Sequence, residues 1–171
     1  MSTLVLLLIT GVGLGALYFL VASGLSLIYG LMHVLNFAHG AFLSLGGLLG
    51  WEGGRRVGDG TWGGLLVSML VGMVVGALFA IVTELVFIRR LYNRHIEQVL
   101  VTVGIGLAAV ALFEGIWGSD PIITTKVPWL RQTTDVLGAR VPNHIWLLIG
   151  VAVMVLLAIV LFLRFTRFGL V

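Results

Sequence analysis

The sequence contains no cysteine, so disulfides, thiolate metal sites and cysteine nucleophiles are excluded. Charge is scarce as well. Asp, Glu, Lys and Arg make up 10% of the 171 residues, against about a quarter in soluble globular domains. None of these four residue types occurs between Met1 and Trp51. A soluble fold of this length would have almost nothing to cover its surface. Proline is confined to the stretch from Gly118 to Asn143, which also holds Asp120, Asp135 and four of the ten threonines, and so reads as a loop.

What is present is apolar. Hydrophobic residues form 60% of the chain and the mean hydropathy is +1.16, with runs long enough for membrane helices rather than barrel strands. The net charge of +3 and pI near 10.0 come from basic residues scattered between apolar runs. That is the pattern of orienting loop charges, not of a nucleic-acid surface, so membrane lipid is the expected surrounding. The N-terminal apolar stretch lacks a basic flank and runs past the ~7–15 residues of a signal peptide, and reads as a first span.

At roughly 20 apolar residues per crossing, the chain divides into about five spans, as one transmembrane domain over residues 1–171. They are 3–29, 31–51, 62–88, 96–117 and 144–163. Glu52 to Thr61 (EGGRRVGDGT) reads as a solvated turn and Arg89 to His95 (RRLYNRH) as a short basic loop. The density of Arg89, Arg90 and Arg94 places that loop in the cytoplasm and the N-terminus outside. Arg55, Arg56, Lys126, Arg131 and Arg140 fall on the opposite side, accompanied by acids. The fold class is therefore an all-α integral membrane protein, its second helix broken or preceded by a re-entrant elbow. Small residues at Gly11 and Gly15, Gly46 and Gly50, and Gly72 and Gly76 fall at four-residue spacing, which suits close helix packing in lipid.

The stretch HVLNFAHGAF (33–42) concentrates polar residues inside an uncharged run. His33 and His39 are six apart with only Asn36 nearby, a poor spacing for a metal pair, so no metal is expected. Asn36 and His39 would share a face if helical, and Gly40 would allow a close backbone approach or a turn. A polar group at membrane depth normally faces a bundle interior or a wet cavity. Two readings stand level: a cytoplasmic elbow between spans, and a broken helix beside a pathway. Glu84 and Glu114 are the acids within spans, each near a span end, where interfacial or packed carboxylates are common. GVGLGA (11–16) lacks the strand that a dinucleotide fingerprint requires. No catalytic set or phosphate loop is present, so neither an enzyme nor a cofactor is expected.

The stretch GLSLIYGLMHVLNFAHGAFLSLGG (24–47) closely resembles LivH-type permeases, membrane subunits of bacterial ABC importers for branched-chain amino acids. The resemblance is carried by Asn36-Phe37-Ala38-His39-Gly40. It continues through RRLYNRHIEQVLVTVGIGL (89–107), IWGSDP (116–121) and RFTRFGL (164–170), and so covers essentially the whole chain. It implies a permease in the bacterial inner membrane, partnered by a LivM-like second permease, cytoplasmic ABC ATPase subunits and a periplasmic solute-binding protein. Asn36, Phe37, His39 and Gly40 would then form a broken segment beside the solute path. Relatives carry urea or short amides, which keeps those substrates open. Family members run longer, through an ATPase-contacting stretch and further spans, so the chain is expected to be an N-terminal portion: a fragment, a truncated product or part of a split permease. A non-transporting assembly subunit and a small oligomeric channel are the alternatives outside transport, although no charged rings line the spans.

Overall fold

A computed structural model describes residues 2–32, 34–120, 122 and 127–165. The chain is mostly helical, in the order α1 (Ser2–Met32), α2 (His39–Gly58), α3 (Trp62–Val86), a 3-10 turn (Ile88–Leu91), α4 (His95–Trp117), α5 (Pro128–Arg131), β1 (Thr133–Val136), β2 (Ala139–Pro142) and α6 (Asn143–Phe165). Among the described residues, four helices, α1, α3, α4 and α6, are long and apolar enough to cross a membrane. They are apolar on all sides, and residues such as Leu70, Met73 and Met154 are largely exposed. In water such surfaces would aggregate, whereas lipid tails cover them.

The helices fall into two compact units, Met1–Met32 with Pro128–Val171, and His33–Val127. In the first, α1 and α6 pack side by side, and a Cβ on Gly13 would stand 2.7 Å from the Ile145 side chain. A Cβ on Gly11 or Gly15 would meet open space within 4 Å, so the close approach in α1 is at Gly13. The stretch before α6 holds a two-stranded antiparallel hairpin pairing Thr133 with Pro142 and Val136 with Ala139. Its two-residue turn has positive φ at both Leu137 and Gly138, the twist a tight hairpin needs. Buried Asn143 ties this hairpin to α6: its side chain accepts from Thr134 Oγ1 at 2.6 Å and donates to the Trp129 carbonyl at 2.9 Å.

In the second unit, α2 and α3 form an antiparallel pair whose backbones touch. A Cβ on Gly46 would lie 2.7 Å from the Gly72 carbonyl oxygen, and one on Gly50 would lie 2.5 Å from the Ser68 carbonyl oxygen. Gly54 and Gly64 are still tighter, against Ser68 and the Gly58 carbonyl. Gly76 stands at ordinary contact with the Phe42 carbonyl, 3.6 Å away. Between the helices, Thr61 caps α3 by accepting from the Gly64 N–H at 3.0 Å and donates to the Gly58 carbonyl at 2.8 Å.

Two sequence expectations are corrected in this unit. The solvated turn expected over 52–61 is helical as far as Gly58, and the reversal is made by Asp59, Gly60 and Thr61 alone. Glu52 explains this, since it pairs with Arg55 at 2.9 Å and Arg56 at 3.2 Å, one turn ahead on the same helix. The Arg55 guanidinium also lies 5.0 Å over the Trp51 ring. The helix expected over 31–51 instead begins at His39, because α1 continues to Met32 and a non-helical segment follows. With three charges near its end, α2 is not among the four apolar crossing helices.

Overpacking a tight site costs about 1–3 kcal/mol. Gly50→Ala should therefore lower the thermal unfolding midpoint in detergent. Gly47→Ala, where a Cβ meets nothing within 4 Å, should leave it unchanged or raise it slightly through helix propensity.

Candidate functional site: the break before α2

Between Met32 and His39 the chain leaves helical geometry, and burial alternates with a period of two, as in an extended segment. Val34, Asn36 and Ala38 are buried, while Leu35 and Phe37 are exposed. Asn36, only 5% exposed, rebuilds the lost hydrogen bonding. Its Oδ1 accepts from the Ala38 N–H at 3.0 Å, and its carbonyl accepts from the His39 N–H at 3.3 Å. The Ala38 carbonyl then accepts from the Phe42 N–H at 3.2 Å, which starts α2. Ala38 is the N-cap residue but has no side chain to cap with, so Asn36 supplies the acceptor from two residues upstream.

Asn36 and His39 are therefore joined by a backbone turn and do not share a helical face. His39 is half-buried as the first residue of α2. A Cβ on Gly40 would meet nothing within 4 Å; the break meets α4 instead at Gly106. There a Cβ would sit 3.7 Å from both the Ala38 Cα and the Phe37 carbonyl oxygen. Gly106 is the middle residue of α4, eleven residues from either end. On the other side, the Phe42 ring meets Phe79 edge-on at 5.2 Å, and α3 continues to Val86 beyond that contact. The break is thus level with the interior of its neighbouring helices and not with their ends.

Buried polar groups continue from the break toward the basic-loop ends of α3 and α4. Among the described residues, four of the five buried polar ones, Asn36, Thr83, Gln98 and Thr102, belong to this unit. Gln98, Thr102, Gly106 and Ala109 form one stripe of α4, the stripe that meets the break at Gly106. Thr102 satisfies its hydroxyl on the Val99 carbonyl at 3.0 Å. Gln98 is 2% exposed, yet its Nε2 finds no acceptor among the described residues. Sequence reasoning passed over Gln98, Thr102 and Thr83. Their signal was the i, i+4 spacing of Gln98 and Thr102 within an otherwise apolar helix.

The remaining candidates lie elsewhere. His33 is outside the described residues. Among the described residues, no three of His, Asp and Glu come together as metal ligands. Glu84, near the end of α3, accepts a hydrogen bond from the Tyr92 hydroxyl. Glu114 lies near the far end of α4, beside Trp117 and Asp120. The carboxylate of Glu84, and burial after it, raises the Tyr92 phenol above its ordinary value of 10.0. A raised acid is stabilised in its protonated form, so Tyr92 contributes fully below pH 10.0 and loses its contribution as pH rises through the folded value. Unfolding midpoints measured from pH 9 upward should fall in the wild type, at about pH 10 and above, more steeply than in Tyr92→Phe.

Residues 7–171 match a family described as the branched-chain amino acid transport system permease component. No curated protein and no solved structure matches the chain. A match across nearly the full length fits a multi-pass helical membrane protein that serves as a transporter component and not as a catalytic enzyme. The chain belongs to the family of branched-chain amino acid transport permeases.

Proposed function

We propose that this protein is a membrane subunit of an ATP-driven importer for branched-chain or related amino acids, and that the break before α2 forms part of the solute path. The observation that carries this reading is the non-helical backbone of Val34–Ala38, level with the middle of α4. In hydrocarbon an unpaired backbone group costs several kcal/mol, so irregular backbone persists at depth only inside protein or beside water. Broken helices at that level are the usual building material of transport pathways. Buried Gln98, Thr83 and Thr102 add polar groups on helices that otherwise show apolar faces to lipid.

On this reading α2 completes a fifth, broken crossing. The extended segment before it makes one part of that crossing and α2 the rest, with the charged end of α2 beside the first turn of α3, where Gly54 meets Gly64. The basic loop between α3 and α4 lies in the cytoplasm and the N-terminus in the periplasm of a bacterial inner membrane. ATP hydrolysis belongs to cytoplasmic ATPase partners, solute delivery to a periplasmic binding protein, and the other half of the path to a LivM-like permease. Asn36 orders the break, with Phe37, His39 and Gly40 following it at the mouth of α2.

Two measurements test this. In an assembled complex, Asn36→Ala and Gln98→Leu should each reduce uptake about tenfold or more, the scale of losing a buried polar contact. Gln98→Leu should also raise thermal stability, because it removes an unpaired buried amide. Unchanged uptake in both variants would refute the pathway role. The topology has its own check, since any introduced cysteine is the only thiol in the chain. Asn93→Cys should react with an impermeant maleimide only after permeabilisation, and labelling in intact cells would invert the orientation.

A further inference from the structure

The apolar run of α6 sets the membrane frame of the first unit. Ile145 to Leu163 carries no charged residue and, at 1.5 Å per residue, is about 28 Å long, close to the ~30 Å hydrocarbon core of a bilayer. Arg164 follows at once, in the last turn. α1 runs parallel to α6, since Gly13 stands against Ile145 at one face of the core and Leu31 shares a groove with Leu163 at the other. The groove has a volume of about 440 Å³. It extends from Phe19 to Leu31, about 18 Å along α1, a little more than one leaflet's half of the core. It therefore runs along the bilayer normal, from near the midplane to the headgroup layer.

The groove exists because the two helices present unequal side chains. α1 contributes Ala22, Ser26 and Gly30 at four-residue spacing, and these small residues leave space in front of Leu156, Ile159 and Leu163 of α6. A Cβ on Gly30 would meet nothing within 4 Å. The Ser23 hydroxyl, on the same wall, is spent on the Leu20 carbonyl at 3.1 Å. An apolar groove of this kind does not hold water, and left empty it forfeits dispersion contact along both helices. Its open end is different. Arg164 is exposed, and its guanidinium has no acidic partner among the described residues. An apolar wall about one leaflet long thus ends at an unpaired cation at headgroup level.

We propose that this groove is a binding site for an anionic phospholipid. One acyl chain lies in the groove between α1 and α6, and the phosphate meets the Arg164 guanidinium. A guanidinium offers paired donors that match phosphate oxygens. A headgroup of net negative charge is favoured over a zwitterionic one, whose ammonium offsets the phosphate. A packed helix would cover the apolar wall but bring no anion to Arg164. The bound chain fills the gap between α1 and α6 and so joins the two helices where their own side chains do not meet. The site requires only that these helices cross a bilayer. It holds with or without the transport reading and in either orientation of the chain.

The test uses the full chain purified in detergent, with native mass spectrometry as the readout. The probes are palmitoyl-oleoyl phosphatidylglycerol and the phosphatidylcholine of the same chains. The wild type should retain phosphatidylglycerol about fivefold more tightly than phosphatidylcholine, the scale of one arginine facing an anionic headgroup. Arg164→Gln should bring the two lipids to parity. Ser26→Leu combined with Gly30→Leu fills the groove and should remove retained lipid of either kind. Gly15→Leu adds bulk to α1 outside the groove, where a Cβ also meets nothing within 4 Å, and should leave binding unchanged. Helical circular dichroism equal to that of the wild type confirms the folding of each variant. The site is overturned if the wild type retains no lipid, if the groove-filled variant retains as much as the wild type, or if Arg164→Gln keeps the full preference. Equal loss of lipid in Gly15→Leu would show an unspecific annular layer and overturn it as well. A lipid-free species of two chains that the groove-filled variant abolishes would assign the groove to a second copy and overturn the lipid assignment.

Discussion

The constraint on which the rest depends is that a peptide group in hydrocarbon must find its hydrogen-bond partner within the protein. The apolar helices α1, α3, α4 and α6 meet it internally. The chain between α1 and α2 cannot, and a helix beginning there leaves its first N–H groups without intrahelical partners. Asn36 answers for two of the exposed donors, Ala38 through its side chain and His39 through its carbonyl. No aliphatic residue could take its place, since only a short side chain with a terminal oxygen reaches the backbone two residues on. The break is therefore a specified turn, and its specification accounts for a polar residue in a run without charge.

Holding such a break requires rigid neighbours, and glycine provides them. At Gly46, Gly50 and Gly54 the backbone of α2 rests directly on that of α3, with Gly64 and Gly72 answering from the other side. Dispersion between backbones, which grows with close approach, replaces the hydrophobic drive that is missing between helices in lipid. This pairing occupies one face of α2 and leaves the face of Ser44, Leu48 and Trp51 turned toward α4. A cleft between α2 and α4 lies beyond Gly106, where the break meets α4. The break, the glycine seam and the cleft are thus consequences of one arrangement of three helices.

The sequence was most informative where local chemistry is decisive. The helical membrane class followed from apolar length, and the irregular segment was visible because Asn36, His39 and Gly40 interrupt an uncharged run. It was least informative where a partner element decides. Nothing local distinguishes Gly13 from Gly11 or Gly15, and only the position of Ile145 selects it. The segment from Glu52 to Gly58 looked like a turn by its glycines. Pairing of Glu52 with two arginines, and the seam with α3, make it helix. Gln98 and Thr102 looked like tolerated polar residues until their burial was known, because burial is a property of packing and not of spacing. The hairpin over 133–142 had a readable signal in Val-Leu-Gly-Ala flanked by alternating residues, but the loop composition obscured it.

Gln98, two turns along α4 from the residue that meets the break, makes the sharpest physical case for the proposed pathway. An unpaired buried amide costs on the order of 1–3 kcal/mol, a large share of a protein's net stability. Leucine has nearly the same volume and would pack in a helix where apolar residues are the rule, so structure alone gives no reason for glutamine. Thr102, one turn away on the same stripe, shows how a polar side chain with no further role is silenced, since its hydroxyl turns back onto the Val99 carbonyl. The glutamine side chain is too long to satisfy itself in that way. Among the described residues that donor is left open on the stripe that meets the break, a cost that folding does not require, and on the proposed pathway reading a polar solute would supply the acceptor that offsets it.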